Sequence, residues 1–150
     1  MGYDFGMKNP LMQPGDQAFN TWFAQSKAVD SSNTPLLLWH GSEIGNKIFN
    51  PALTTSKIGS MFSANRALDM LYAQRSHPGY LYEAYLSIQN PHCIALDALN
   101  RAPIYGNGLG WRNDLQAQGH DGLIVDNNGT SYFIAFDDAQ ILEVSCQVFP

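Results

Sequence analysis

The segment Leu36-Leu37-Leu38-Trp39-His40-Gly41-Ser42 carries the strongest chemical signal in the chain. A short apolar run of this kind reads as a buried strand. A histidine at its end is held rigidly at the edge of a cleft. Imidazole donates or accepts hydrogen bonds near neutral pH. The glycine behind it lacks a Cβ, so another group can come close to its backbone N–H and C=O. The same residues also suit an ordinary structural histidine, and spacing alone leaves both readings open. A second signal is Gly59-Ser60-Met61-Phe62-Ser63, followed by a helical stretch containing Tyr72. An aromatic before a helix and another near its end can wall a slot for a flat heteroaromatic ring. Core packing is the alternative. A third lies at Asp121-Gly122-Leu123-Ile124-Val125-Asp126, with Ser131-Tyr132-Phe133 beyond it. Acids at the ends of a buried strand suit catalytic carboxylates, although Asp also serves turns.

These groups need elements to position them. Asp16 stands where a helix N-cap would, with Gln17 to Ala28 behind it and Phe19, Trp22 and Phe23 on one apolar face. The strand ending at His40 follows a turn over residues 31–35. Residues 45–60 read as a polar loop. Met61-Phe62 is a brief strand. Ser63 is placed to cap a helix from Ala64 to about Gln74, with Ala67, Leu68, Leu71 and Tyr72 facing inward. Tyr80 to Ile88 alternates as a long half-buried strand, stopped by Asn90-Pro91. Gly106-Asn107-Gly108-Leu109-Gly110 reads as a flexible loop, and Trp111 to Gln118 as a helix stopped by Gly119. Leu123-Ile124-Val125 and Tyr132 to Phe136 form a hairpin about Asn127-Asn128-Gly129, and Ile141 to Val148 is the last strand. Helices come early and strands dominate late, which predicts an α+β fold.

The 150 residues fit one domain, with residues 1–15 as an irregular N-terminal arm and 16–150 as the folded unit. Hydrophobic residues at 45% and aromatics at 12% support a substantial core and exclude disorder as the main state. No apolar run is long enough to span a membrane, and no signal peptide is visible at the start. With 8 Lys plus Arg against 13 Asp plus Glu, the net charge of −5 argues against a nucleic-acid binder held by phosphate contacts. The two cysteines, Cys93 and Cys146, read as reduced core or near-core residues. The four histidines, at 40, 77, 92 and 120, lack metal-ligand spacing, so no metal is expected. Asn128-Gly129-Thr130 matches a glycosylation sequon, which has no force without a secretion signal.

In combination, the motifs resemble one family. The opening Gln17-Ala18-Phe19-Asn20-Thr21-Trp22-Phe23, with Ser26-Lys27 and Val29-Asp30, leads into the strand ending His40-Gly41-Ser42. Phe62 and Tyr72 match a Phe-x9-Tyr spacing, Tyr82 to Pro91 the central strand, and Asp121 to Val125 with Phe136 to Ile141 the closing hairpin. This order is similar to the ADP-ribosyltransferase domains of polyvalent proteins from phages and mobile elements, across residues 17 to about 142.

The resemblance implies a split mixed β-sheet with a few helices and a mono-ADP-ribosyltransferase activity. Such an enzyme transfers ADP-ribose from NAD, consumed as donor substrate, to an acceptor and releases nicotinamide. By resemblance, His40 bonds a ribose hydroxyl, Gly41 pairs with the carboxamide, Tyr72 stacks on the nicotinamide and Phe62 supports the pocket. Met61 stands where poly-ADP-ribose-polymerase-like relatives carry a Tyr, and its sulfur can still pack on a ring. Ser42, Ser63 and Asp121 complete the implied NAD-binding set. Lys57, Arg66 and Arg75 are candidates for the pyrophosphate, or simply solvated surface charges.

A carboxylate near the ribose would stabilise the oxocarbenium-like transition state. Many relatives place a Glu for this just before the aromatic of the closing strand, where this chain has Tyr132. Asp126, ahead of Asp121, is the candidate to supply that charge, and Tyr132 can orient a substrate. The implied acceptor is a host protein, and the implied location is the cytoplasm, including that of an infected or recipient cell. Two rival readings follow from the departure at Tyr132 and from the fold's range: an inactive module that binds NAD or a protein partner, and a transferase acting on nucleic acid.

Overall fold

The computed structural model describes residues 3–4, 12–45, 58–101 and 104–150. Eight strands form one mixed sheet: β1 (Tyr3–Asp4), β2 (Leu38–Ser42), β3 (Met61–Ser63), β4 (Gly79–Leu86), β5 (Pro91–Ala95), β6 (Gly122–Asn127), β7 (Thr130–Ala135) and β8 (Ile141–Phe149). Four α-helices accompany them: α1 (Gln17–Phe23), α2 (Arg66–Ala73), α3 (Leu96–Arg101) and α4 (Ile104–Ala117). The spatial order is β1-β8-β4-β2-β3-β7-β6-β5. Every pairing is antiparallel except β5 with β6. The α+β class read from the sequence therefore holds.

The sheet has two halves that meet at a thin seam. β4 pairs with β2 over five register positions and with β8 along its whole length. β2 and β3, by contrast, share only the pair Trp39–Ser63. Along β7 the side chains alternate between two cores, as the pleat dictates. Phe133 and Ala135 join Leu38, Phe62 and Tyr82 on one face. Ile134 and Phe136 join Leu99 of α3 and Leu115 of α4 on the other. β7 is thus buried on both faces.

Several motif residues act as latches. The Trp22 indole N–H donates to Ala139 O (2.9 Å), and the Ser26 hydroxyl donates to Leu86 O (2.7 Å) while accepting from Ile88 N. Gln140 donates from its amide to Ser87 O and Asp121 O, at 2.9 and 2.8 Å. Phe19 and Phe23 stack at 5.2 Å and bury on Leu142.

The structure corrects several expectations. α1 ends at Phe23, because Ala24 takes φ 48°. Asp16 stands at its N-cap position, but its carboxylate accepts from Gln13 N rather than from the helix. Asn65, not Ser63, caps α2 by accepting from Leu68 N. β4 ends at Leu86 rather than running to Ile88 and the stop at Asn90-Pro91, and Pro91 instead opens β5, since an edge strand needs no N–H at that position. The glycine run 106–110 lies within α4. Cys146 is buried, whereas Cys93 is exposed on the edge strand β5; both are free. Tyr3 and Asp4 of the arm pair with β8. Most of the expected loop, residues 46–57, including Lys57, lies outside the described residues.

The inner face of α2 also differs. Its buried residues are Asp69 and Ala73, while Leu71 and Tyr72 are 62% and 47% exposed. The cause is Gly41. A Cβ built there would stand 2.1 Å from Asp69 O, 2.8 Å from Ala73 N and 2.9 Å from the Tyr72 Cβ. α2 therefore rests its backbone directly on β2, and only its Asp69–Ala73 edge turns inward. Gly41→Ala is expected to destabilise the fold by about 3 kcal/mol, because backbone atoms cannot yield as a side-chain tip does. Urea unfolding monitored by circular dichroism measures this, and an unchanged midpoint would refute the contact.

Candidate active site

The seam between β2 and β3 opens into a cavity of about 330 Å³. Its lining combines His40 and Gly41 of β2, Met61 and Ser63 of β3, Leu68, Asp69 and Tyr72 of α2, Leu96 of α3 and Tyr132 of β7. A volume of this order suits a small-molecule ligand or one end of a larger one. Beyond Trp39–Ser63 the two strands lose their ladder, and the His40 side chain crosses the gap. Its Nδ1 lies 2.8 Å from Met61 O. A carbonyl only accepts, so Nδ1 carries a proton and donates this bond. The Phe62 ring backs the imidazole at 5.2 Å and Tyr82 lies beyond at 6.4 Å.

Met61 and Ser63 face the cavity, and Phe62 between them is fully buried in the core behind it. Period-two alternation accounts for this division. Tyr72 stands at the mouth, half exposed, with the Arg75 guanidinium 4.4 Å from its ring centroid. That contact holds one cation beside the entrance. Met61 and Tyr132 pack on the same sub-core, so the wall opposite α2 is a thioether beside a phenol.

Of the residues singled out in the sequence, His40, Gly41, Met61, Ser63, Tyr72 and Tyr132 come together in this lining. The others lie elsewhere. The Ser42 hydroxyl accepts from Ile44 N and closes the turn after β2. The Asp121 carboxylate accepts from Gln89 N and Asn90 N, both at 2.8 Å, and ties the end of β4 to β6. Asp126 accepts from Gly129 N at 3.0 Å and is exposed in the β6–β7 turn. Neither aspartate lines the cavity. Arg66 bonds Gln147 on β8.

A lining residue that the sequence did not single out is Asp69, the one acid among the described lining residues. It is buried, its carboxylate accepts from the Ser63 hydroxyl, and the Gly41 N–H also donates to it. Burial pushes its pKa up from 3.8 to about 6, outweighing these two hydrogen bonds. The available signal was the spacing: Asp69 precedes Tyr72 by three, which puts both on neighbouring helix positions. Gly41 also has a different neighbour from the one expected. The group pressed on its Cα is the backbone of α2, and its N–H meets a side-chain carboxylate.

The raised pKa sets a pH dependence. Between about pH 4 and 6 the native state holds more protons at Asp69 than the unfolded chain does, so stability falls as pH rises. The total is on the order of 3 kcal/mol. Asp69→Asn removes this titration, so its stability relative to the parent is expected to improve by up to that amount from about pH 4 to pH 8. Urea midpoints at the two pH values measure it; parallel changes in both proteins would contradict the assignment.

Among the described residues no helix is long and apolar enough to cross a membrane, and no three His, Cys, Asp or Glu side chains are grouped to hold a metal ion. No curated protein matches the chain. The sequence pattern of one family, described as ADP-ribosyltransferase in polyvalent proteins, matches residues 30–148. That span includes every residue lining the cavity, from His40 to Tyr132. The chain therefore belongs to the family of ADP-ribosyltransferase domains found in polyvalent proteins.

Proposed function

We propose that the protein is a mono-ADP-ribosyltransferase that takes NAD as donor, binds its nicotinamide end in the β2–β3 cavity, and modifies a protein acceptor. The observation that carries this reading is the convergence of His40, Gly41, Ser63, Tyr72 and Tyr132 on one cavity, within a chain of this family. The single Trp39–Ser63 pair is read as the split of the transferase sheet. Tyr72 offers its ring face to the pyridine. His40, whose ring is fixed by Met61 O, is the residue assigned to the ribose hydroxyl. Arg75, beside Tyr72 at the mouth, is placed to meet a phosphate.

Breaking the glycosidic bond leaves positive charge on the ribose. Preorganised oxygens near that carbon favour the transition state over the ground state. Tyr132 stands in the lining at the position where many relatives carry Glu, and it would orient the acceptor or the ribose rather than take a proton. The net charge of −5 disfavours nucleic acid as acceptor.

A second reading has its own support. With Tyr132 in place of an acid, the cavity suits a module that holds NAD or a partner without turnover. Incubation of the purified protein with NAD and host lysate separates the two. Transfer predicts nicotinamide release and a labelled lysate protein, with both lowered about tenfold or more in His40→Ala and Tyr72→Ala. Saturable NAD binding without release would establish the module, and absence of binding would sink both. Protease and nuclease digestion of labelled material identifies the acceptor polymer.

A further inference from the structure

The one acid among the described lining residues has a geometry that bears on which ring substituent the cavity accepts. We propose that Asp69 is a specificity-determining residue: its carboxylate accepts an N–H from an uncharged carboxamide on the bound ring and rejects the corresponding ring carboxylate. This rests on the reading of the cavity as the pocket for the nicotinamide end of NAD.

Three observations support the assignment. Asp69 lines the cavity together with Gly41 and Tyr72, the ring assigned to stack on the pyridine. The carboxylate is anchored from behind by two donors, the Ser63 hydroxyl and the Gly41 N–H. An ionised carboxylate has about four lone-pair sites, so two donors leave it acceptor capacity. Its backbone position is fixed as well, because α2 lies directly on Gly41 at Asp69 O. An acceptor of this kind, buried and held in place, is served by an N–H donor. An anion brought against it meets like charge in a site shielded from water, which is a strong means of exclusion. A carboxamide supplies N–H donors at neutral charge, and a carboxylate supplies none.

The test compares NAD with nicotinic acid adenine dinucleotide by isothermal titration calorimetry at about pH 8, where the Asp69 carboxyl is ionised. Both carry the same pyridinium, ribose and diphosphate, so their affinity ratio isolates the amide-to-acid change. The parent protein is expected to prefer NAD by about tenfold or more. Asp69→Asn, which keeps an acceptor for Gly41 and adds donors, is expected to bring the ratio to within about threefold. Circular dichroism checks its fold, and Asp69→Ser repeats the measurement if the Asn variant does not fold. Equal binding by the parent, or preference that persists in a folded variant, overturns the role of Asp69 while leaving the donor reading intact. Failure of the parent to bind either dinucleotide overturns both.

Discussion

The absence of a side chain at Gly41 is the constraint on which the site depends. It lets a helix lie with its backbone against a strand, closer than any Cβ would permit. The approach sets the rotation of α2, which turns Asp69 and Ala73 inward and leaves Tyr72 at the cavity mouth. The same residue gives its N–H to Asp69. One glycine therefore sets helix position, ring orientation and the placement of a buried charge. His40 performs the complementary task on the other side of the strand, spanning the gap to Met61 where the β2–β3 ladder ends.

The rest of the fold keeps this seam open without letting the sheet come apart. β7 is packed on both faces, and β4 is paired with β8 along its whole length and with β2 from Tyr80 to Ala84. The load at the seam is carried by Phe62, fully buried between the two halves, which also backs the imidazole. Farther away, Trp22, Ser26, Gln140 and Asp121 join α1, the segment just after it and the 3₁₀ turn Asp138–Gln140 to the ends of β4 and β6 through hydrogen bonds of 2.7–2.9 Å. The part these residues play is therefore architectural. Removing such a donor would strand a buried carbonyl, which is more costly than the bond itself is worth.

Electrostatically the site is sparse. Among the described lining residues Asp69 is the one acid, Arg75 stands at the rim on Tyr72, and the other polar side chains are the His40 imidazole and the hydroxyls of Ser63, Tyr72 and Tyr132. A carboxylate held in so little polar company favours the protonated form relative to water, hence its pKa of about 6. Persistence of such a charge in a protein generally reflects use rather than stability, since a neutral side chain of similar shape would fold at least as well.

The sequence determined most of the elements and several of the lining residues. Apolar alternation located β4, the run Leu123-Ile124-Val125 located β6, and the Asn128-Gly129 turn, with two positive φ angles, joined it to β7 as a hairpin. Strand periodicity put Met61 and Ser63 on one face and Phe62 on the other. These are local properties, written in spacings of two and in turn chemistry. Apolar spacing misjudged α2, because it treats Leu71 and Tyr72 as core and an aspartate as surface. Only the tertiary structure decided otherwise, because the face a helix buries depends on how closely its partner lets it approach. Asp121 and Asp126 show the same limit from the other side: both looked free for chemistry in the chain, and both are engaged by backbone N–H groups in the fold. Asp69 drew no notice in one dimension, since its donors, Gly41 and Ser63, reach it from different strands that only folding brings beside the helix.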